Sequence, residues 1–372
     1  MSLSSPLIWC AISGHGFGHA AQLIPVLNEL DQIIPELRVI LRTTVPAWFF
    51  DRLTLHWEYR PSQQDVGCIQ RGPLWIDVPA TWSAYDRFHT NWQKRVKQEA
   101  AQMHAVTPDL VLSNISHLGL AAGAEAGVPR VALCSLSWDQ ILKPFVHESE
   151  SASSRQHAII RDITDAYGQA ELMIRPRPSI PMTAFPNMAD VPPIALQVTS
   201  EALRLRSLLR IAPDERIVLL AFGGISLESL PLEAMETMTG YRFLIREALE
   251  KPSSRIHTTI GLPFSFNTLL ASADIVLTKP GYSTIVEAVA SRRPVVYIRR
   301  NNFADEQSLV DYLLQFGRGV ELSVDDFTSG HWTAAFEQVL KQTRPDRTPP
   351  PLNGAREAAM LIAKTLKRYQ RA

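Results

Sequence analysis

Short unbroken apolar runs alternate along this chain with longer segments whose apolar positions recur at helical spacing. "LIWCAIS" (7–13), "LRVILRT" (37–43), "DLVLSN" (109–114), "RVALCS" (130–135) and "ELMIR" (171–175) read as buried strands, and "HAAQLIPVLNEL" (19–30) as a helix. Strands that are apolar throughout, separated by helices, predict a parallel sheet covered on both faces. The alternation stops at residues 176–193, "PRPSIPMTAFPNMADVPP", which hold six prolines. Proline removes backbone donors and fixes φ, so 176–196 reads as an extended linker. The alternation then resumes with "RIVLLAF" (216–222), "YRFLI" (241–245), "RIHTTI" (255–260), "DIVLT" (274–278) and "PVVYI" (294–298). A terminal amphipathic helix is expected in "AREAAMLIAKTLKRY" (355–369). The pattern predicts two α/β domains with doubly wound parallel sheets, 1–175 and 197–352, joined by the linker. Ligands of such sheets bind beyond the carboxyl ends of the strands, and the default site is a cleft between two domains that face one another.

Composition changes this picture little. The 372 residues carry 37 basic and 37 acidic side chains, so no global field draws in nucleic acid, and no nucleic-acid partner is expected. Cys10, Cys68 and Cys134 form no CxxC pair, which fits reduced thiols in a cytoplasmic protein. No apolar run approaches the length of a membrane span, leaving only peripheral membrane contact.

Candidate chemistry begins at "SGHGFGH". Positions Gly14 to His19 hold three glycines and two histidines between a strand and a helix. Glycines there permit a tight turn, and a helix N-terminus favours anions. The spacing is G-x-G-x-G rather than G-x-G-x-x-G, and no acid follows the second strand, which argues against a dinucleotide site. His19 and His15 are either loop residues satisfying backbone groups or candidates for a general base, since imidazole titrates near neutrality. The flanking Gly16 and Gly18 leave room for an acceptor substrate.

The second half offers "DIVLTKPGYSTIVEAVASRRPVVYIRRNNFADEQ" (274–307). Gly281 permits close approach, Ser283 and Thr284 place hydroxyls at a helix start, and Glu287 lies one turn on, within reach of a ribose diol. "FGG" (222–224) is a second glycine loop at a strand end, suited to a diphosphate.

Together these motifs resemble GT-B glycosyltransferases of the MurG-like group. "GHGFGHA", "LSWDQI", "FGG", "GYSTIVEA" and "YIRRNNFADEQ" are most similar to the glycosyltransferase-like N-terminal domain of plant L-arabinokinases. The resemblance implies two Rossmann-like domains facing a cleft, with the terminal helix (353–372) packed back on the first. It implies a nucleotide-sugar donor, with uracil as the expected base, and an acceptor that is a glycan, a lipid or a small molecule. Glu287 would hold the ribose. Gly281, Tyr282, Ser283, Thr284, Gly223 and Gly224 would meet the diphosphate, Thr259 to Gly261 the base, and Asp305, Glu306 and Gln307 the sugar. His19 would be the base, with His15 as the alternative, and Asp139 would orient the histidine, meet the acceptor or cap a loop.

An inverting transfer needs no bound cofactor and can proceed without metal where helix dipoles and N–H groups meet the growing charge. No D-x-D dipeptide is present, and Asp325–Asp326 reads as a cap. Retaining relatives carry a glutamate eight residues before the second one; here that position is Lys279, a surface charge or a phosphate partner. A nucleotide-sugar-binding module without transfer, or a hydrolase or epimerase, would use the same donor motifs. Trp75, Trp82 and Trp138 are open to either sugar stacking or core packing.

Overall fold

The computed structural model describes residues 5–146, 150–196, 198–223, 230–300 and 303–370. The chain divides into two compact units. Unit 1 comprises residues 1–69, 76–194 and 353–372; unit 2 comprises 70–75 and 195–352.

In unit 1 the strands are β1 (Leu7–Ile12), β2 (Arg38–Arg42) and β3 (His56–Tyr59). A short pair, β4 (Gln70–Arg71) and β5 (Trp75–Ile76), falls in the 70–75 stretch of unit 2 except for Ile76, and unit 1 continues with β6 (Leu110–Asn114), β7 (Arg130–Leu133), β8 (Leu172–Pro176) and β9 (Met188–Val191). Its helices are α1 (Gly18–Ile33), α2 (Val78–His89), α3 (Trp92–His104), α4 (His117–Glu125), α5 (Trp138–Leu142) and α6 (Glu150–Gly168). The sheet runs β3-β2-β1-β6-β7-β8-β9, parallel at every junction. All six residues of β1 are buried, as a central strand between two helical layers requires.

Unit 2 continues with α7 (Ala202–Leu209), β10 (Arg216–Leu220), α8 (Leu232–Thr237), β11 (Tyr241–Ile245), β12 (Ile256–Thr258), α9 (Phe266–Ser272) and β13 (Ile275–Thr278). Then come α10 (Tyr282–Ala290), β14 (Val295–Tyr297), α11 (Glu306–Phe316), β15 (Gly319–Glu321), α12 (Val324–Ser329) and α13 (Thr333–Lys341). Its sheet is again parallel, ordered β12-β11-β10-β13-β14-β15. The last helix, α14 (Gly354–Gln370), belongs to unit 1, where Ala358, Ala359, Ile362, Ala363 and Leu366 join the core that contains Leu23, Leu27 and Leu30 of α1.

The proline-rich segment is not a linker. Residues up to Ile194 belong to unit 1, and β9 pairs with β8 from Met173↔Met188 to Pro176↔Val191. The prolines explain how this is possible. Pro176 ends β8, Pro186 precedes β9, and Pro192 and Pro193 follow it, so no proline interrupts β9 itself. As an edge strand, β9 pairs on one side only. The segment at residues 60–80, expected to shape an acceptor site, is also divided: Gln70–Trp75 groups with unit 2, and Leu74 enters that unit's core.

Candidate functional site

Each sheet reverses its strand order once, and the candidate residues collect at those two points. In unit 2 the reversal lies between β10 and β13. A crevice opens there beyond the carboxyl ends, because the connections leave in opposite directions. The Thr278 hydroxyl donates to the Ala221 carbonyl at 2.5 Å and ties the two strand tips together. Beyond β10, Gly223 has φ +79°, a conformation that favours glycine. Gly224 lies outside the described residues. Beyond β13 come Lys279, Pro280 and Gly281, the N-cap of α10. No side chain caps this helix, and its first turn, with Tyr282, Ser283 and Thr284, contains no acid. A first turn without acids leaves its N-terminal N–H groups open to an anion.

Lys279 lies among charges without an ion pair to any described residue. Burial and the Arg300 charge pull its amine down to about 7, against the opposing pull of Asp305 and Glu306. Arg300 is buried and braces this loop: its Nη2 donates to the Pro280 carbonyl (3.1 Å) and its Nε to Glu306 Oε1 (2.5 Å). Its Nη2 also lies 3.4 Å from Asp305 Oδ1, and its guanidinium sits 3.6 Å from the Phe303 ring centroid. Burial outweighs the Arg300 charge at both acids, raising Asp305 to about 6 and Glu306 to about 7.

In unit 1 the reversal lies between β1 and β6. Ser13 follows β1, and its backbone N–H donates to the Asn114 carbonyl at the tip of β6 (3.0 Å). Its hydroxyl donates to Asp65 Oδ1 (2.9 Å), and the Trp138 indole N–H donates to Asp65 Oδ2 (2.9 Å). Burial lifts Asp65 to about 7 against these bonds and one from the Gly14 backbone. The His15 backbone N–H donates to the Ser13 hydroxyl (3.2 Å), and its Nδ1 accepts from the Cys68 backbone N–H (3.3 Å). The turn needs its glycines for two reasons. Gly16 has φ +73°, and a Cβ at Gly14 would collide with the Thr44 hydroxyl.

His19 stands in the first turn of α1, 8% exposed, with Nδ1 2.8 Å from Asn114 Oδ1. The Asn114 amide Nδ2 in turn donates to Gln22 Oε1 (3.1 Å). Burial pulls the imidazole down to about 4, opposed only by the Asn114 bond. The indole of Trp138 packs against both histidines, at 5.2 Å from His15 and 5.7 Å from His19 between ring centroids.

Comparison with known proteins places this architecture. No family model matches the chain. A curated relative, L-arabinokinase of Arabidopsis thaliana, is 28% identical over 335 residues, 88% of this chain. The aligned region is 32% of that protein, so the chain spans about a third of its length. Among solved structures, the kitacinnamycin glycosyltransferase superposes with a TM-score of 0.64 at 14% identity, covering 99% of this chain and 96% of its own. The calicheamicin glycosyltransferase CalG4 gives 0.60 at 16% identity, covering 99% and 95%. MurG of Acinetobacter baumannii gives 0.55 at 12% identity, covering 96% and 99%.

The fold is GT-B.

Within this GT-B chain the residues singled out by sequence fall into four groups. Gly16, Gly18, His15 and His19 share the β1–α1 turn of unit 1. Gly223, Gly281, Tyr282, Ser283, Thr284 and the buried Glu287 share the β10–β13 end of unit 2. Thr259 and Gly261 form a turn after β12, where the Thr259 N–H donates to the Ile245 carbonyl (2.7 Å) and Gly261 has φ +80°. The fourth group is engaged by neighbouring side chains. Asp305 and Glu306 face Arg300. The Gln307 amide donates to Asp311 (2.7 Å) and its oxygen accepts from Arg299 (3.2 Å). Asp139 accepts from its neighbour Gln140 (2.8 Å), and its Oδ1 is buried without a partner among the described residues. The side chain bonded to His19 is Asn114, not Asp139. Asp326 lies in the first turn of α12, where its backbone N–H donates to the Ser323 cap (3.0 Å). Trp82 and Trp138 are core residues, whereas Trp75 is 52% exposed.

Sequence reasoning missed Asp65 and Asn114. Asn114 had a signal, being the one amide at the tip of a central strand. Asp65 is an isolated acid in a loop and had none.

Proposed function

We propose that this chain is an enzyme that moves a sugar from a nucleoside diphosphate donor to an acceptor hydroxyl, inverting the anomeric centre. A uridine donor is the first expectation. The acceptor, a glycan, lipid or small molecule, loses its proton to His19 Nε2. Its oxygen bonds to the anomeric carbon as the bond from that carbon to the diphosphate oxygen breaks, and the electron pair leaves with the diphosphate. The uncapped N-terminus of α10 and the Lys279 amine meet that charge, which supports transfer without a metal. Glu287, on the same helix, is the expected ribose ligand. The three buried thiols, Cys10, Cys68 and Cys134, favour a reducing compartment such as the cytoplasm. Among the described residues no helix is long and apolar enough to cross a membrane.

The observation that carries this reading is the convergence at one switch point of a helix start without a side-chain cap, a positive-φ glycine and a lysine with no ion pair among the described residues. The test is thermal unfolding with UDP, GDP, ADP, TDP and UDP-sugars in the presence of chelator, followed by calorimetry. UDP is expected to raise the melting temperature through linkage. Glu287→Ala should bind it about ten- to a hundredfold more weakly, the worth of a lost charge-assisted hydrogen bond, while unfolding like the wild type. If no nucleotide shifts the transition, the donor reading fails. If a nucleotide shifts it but no acceptor or water is ever glycosylated, a binding module replaces the enzyme.

A further inference from the structure

His19 has a neutral amide where a charged partner would stabilise an imidazolium. The ring is buried, and every element around it can be named. Asn114 Oδ1 approaches Nδ1 from the tip of β6 (2.8 Å), and Cys134 Sγ approaches the same nitrogen from the end of β7 (3.8 Å). Trp138 of α5 and His15 of the glycine loop pack at 5.7 and 6.4 Å between ring centroids. Gln22, one turn along α1, accepts from the Asn114 amide (3.1 Å). None of these is a carboxylate. Asp65, which packs on the glycine loop, has its two oxygens bonded to Ser13 and Trp138.

We propose that Asn114, with its amide held by Gln22, is a positioning residue that fixes His19 as the Nδ1–H tautomer and leaves Nε2 as the proton acceptor. The inference rests on the glycosyl-transfer reading for its catalytic meaning and on the hydrogen bonds alone for its structural content. An amide oxygen can only accept, so the imidazole nitrogen facing it must carry the proton. In this orientation the Asn114 amide nitrogen is satisfied by Gln22 Oε1 (3.1 Å). Nε2 has no hydrogen-bond partner among the described residues. Because the amide has no charge, its bond raises the ring's pKa less than burial lowers it, and the imidazole stays neutral well into the acid range. The enzyme therefore rests with its base ready throughout the neutral range.

Two measurements test this. The first needs no activity: nitrogen-15 shifts of the histidine side chains, with His19 assigned by comparison with His19→Gln. Nδ1 should be protonated and Nε2 bare, with no titration of this ring above about pH 5. Asn114→Asp puts a carboxylate in the amide's place and should raise the ring's pKa by about one unit or more. Asn114→Ala should release the tautomer to a mixture. The second is the pH profile of kcat/KM with whichever acceptor is turned over. Its acid limb should move upward in Asn114→Asp with the NMR titration, while nucleotide affinity stays at the wild-type value. A bare Nδ1, a wild-type ring that titrates near its ordinary value, or an acid limb unmoved by Asn114→Asp overturns the proposal. Loss of the donor reading would appear separately, as absent nucleotide binding in the wild type, and would leave the tautomer measurement standing.

Discussion

Lys279 illustrates how one residue can carry a pH dependence for the whole of the proposed donor site. Its amine is drawn down to about 7, chiefly by burial and next by Arg300. Below that value it is a cation beside the uncapped start of α10, and above it a neutral amine. A bound diphosphate favours the cation, so binding takes up a proton wherever the free enzyme has lost it. Nucleotide affinity should accordingly fall as pH rises between about pH 6 and pH 9, and Lys279→Ala should bind weakly with a flat profile. Calorimetry across that range in two buffers of different ionisation enthalpy would check both points; a slope that survives Lys279→Ala would move the titrating group elsewhere. The glycines, the histidines and Glu287 marked themselves in the sequence by type and spacing, and the structure places them at strand ends and helix starts. The pairing of Arg300 with Glu306 and of Asn114 with His19 was not legible there. Each depends on which strand tips become neighbours, and residues 19 and 114 meet only because β6 inserts beside β1.

Among the elements, the missed strands share one property. β3, β9 and β15 are all sheet edges. The central strands declared themselves as apolar runs because both of their faces are buried, but β3 reads "HWEY" with two exposed residues and β9 reads "MADV" with two. An edge strand lacks the pattern by which a buried strand is recognised. Helices show a related effect where α2, α4 and α6 meet. His89 at the end of α2 approaches Asp162 of α6 through Nδ1 (3.1 Å) and His117 at the start of α4 through Nε2 (3.2 Å). Burial holds both rings below their ordinary value, His117 well below it. An unfolded chain would protonate them near 6.5, so as pH falls below that value the unfolded state takes up protons that the native state refuses. Stability from this pair is complete above that value and is lost on acidification, with His117 the larger contributor. Asp65, Asp305 and Glu306 are raised instead, and their contribution fades in the opposite direction, as pH rises toward 6 to 7. His117→Phe removes one term only. Urea unfolding at about pH 5 and pH 7 should show a smaller loss on acidification in the variant than in the wild type. An equal loss would place the acid sensitivity elsewhere.

For the whole molecule, the chain order and the spatial order differ, and α14 is where that difference can be tested. The helix follows unit 2 in sequence, yet it completes the core of unit 1, where Ala358, Ala359, Ile362, Ala363 and Leu366 are buried with the apolar face of α1. Beside that contact, Met360, Ala363, Lys364, Lys367 and Arg368 of α14 and Ile33 of α1 line a groove of about 460 Å³. The amphipathic period of residues 355–369 was plain in the sequence, but which core the helix serves is a matter of topology. Removing residues 353–372 strips one wall from α1 and exposes Leu23, Leu27 and Leu30 to water. At roughly 1.5–3 kcal/mol for each large apolar side chain uncovered, unit 1 should lose several kcal/mol, a large part of a typical domain's stability. Unit 2 has its own two apolar clusters, which contain no residue of α14, and should not feel the loss. Scanning calorimetry of the truncated chain should therefore show one transition moved far down in temperature and a second near its original position. The second should still respond to the nucleotide that stabilises the full-length protein, since the β10–β13 end is intact. A single transition shifted as a whole would mean that the two units unfold as one cooperative block, and the independence of the donor-binding unit would be lost with it.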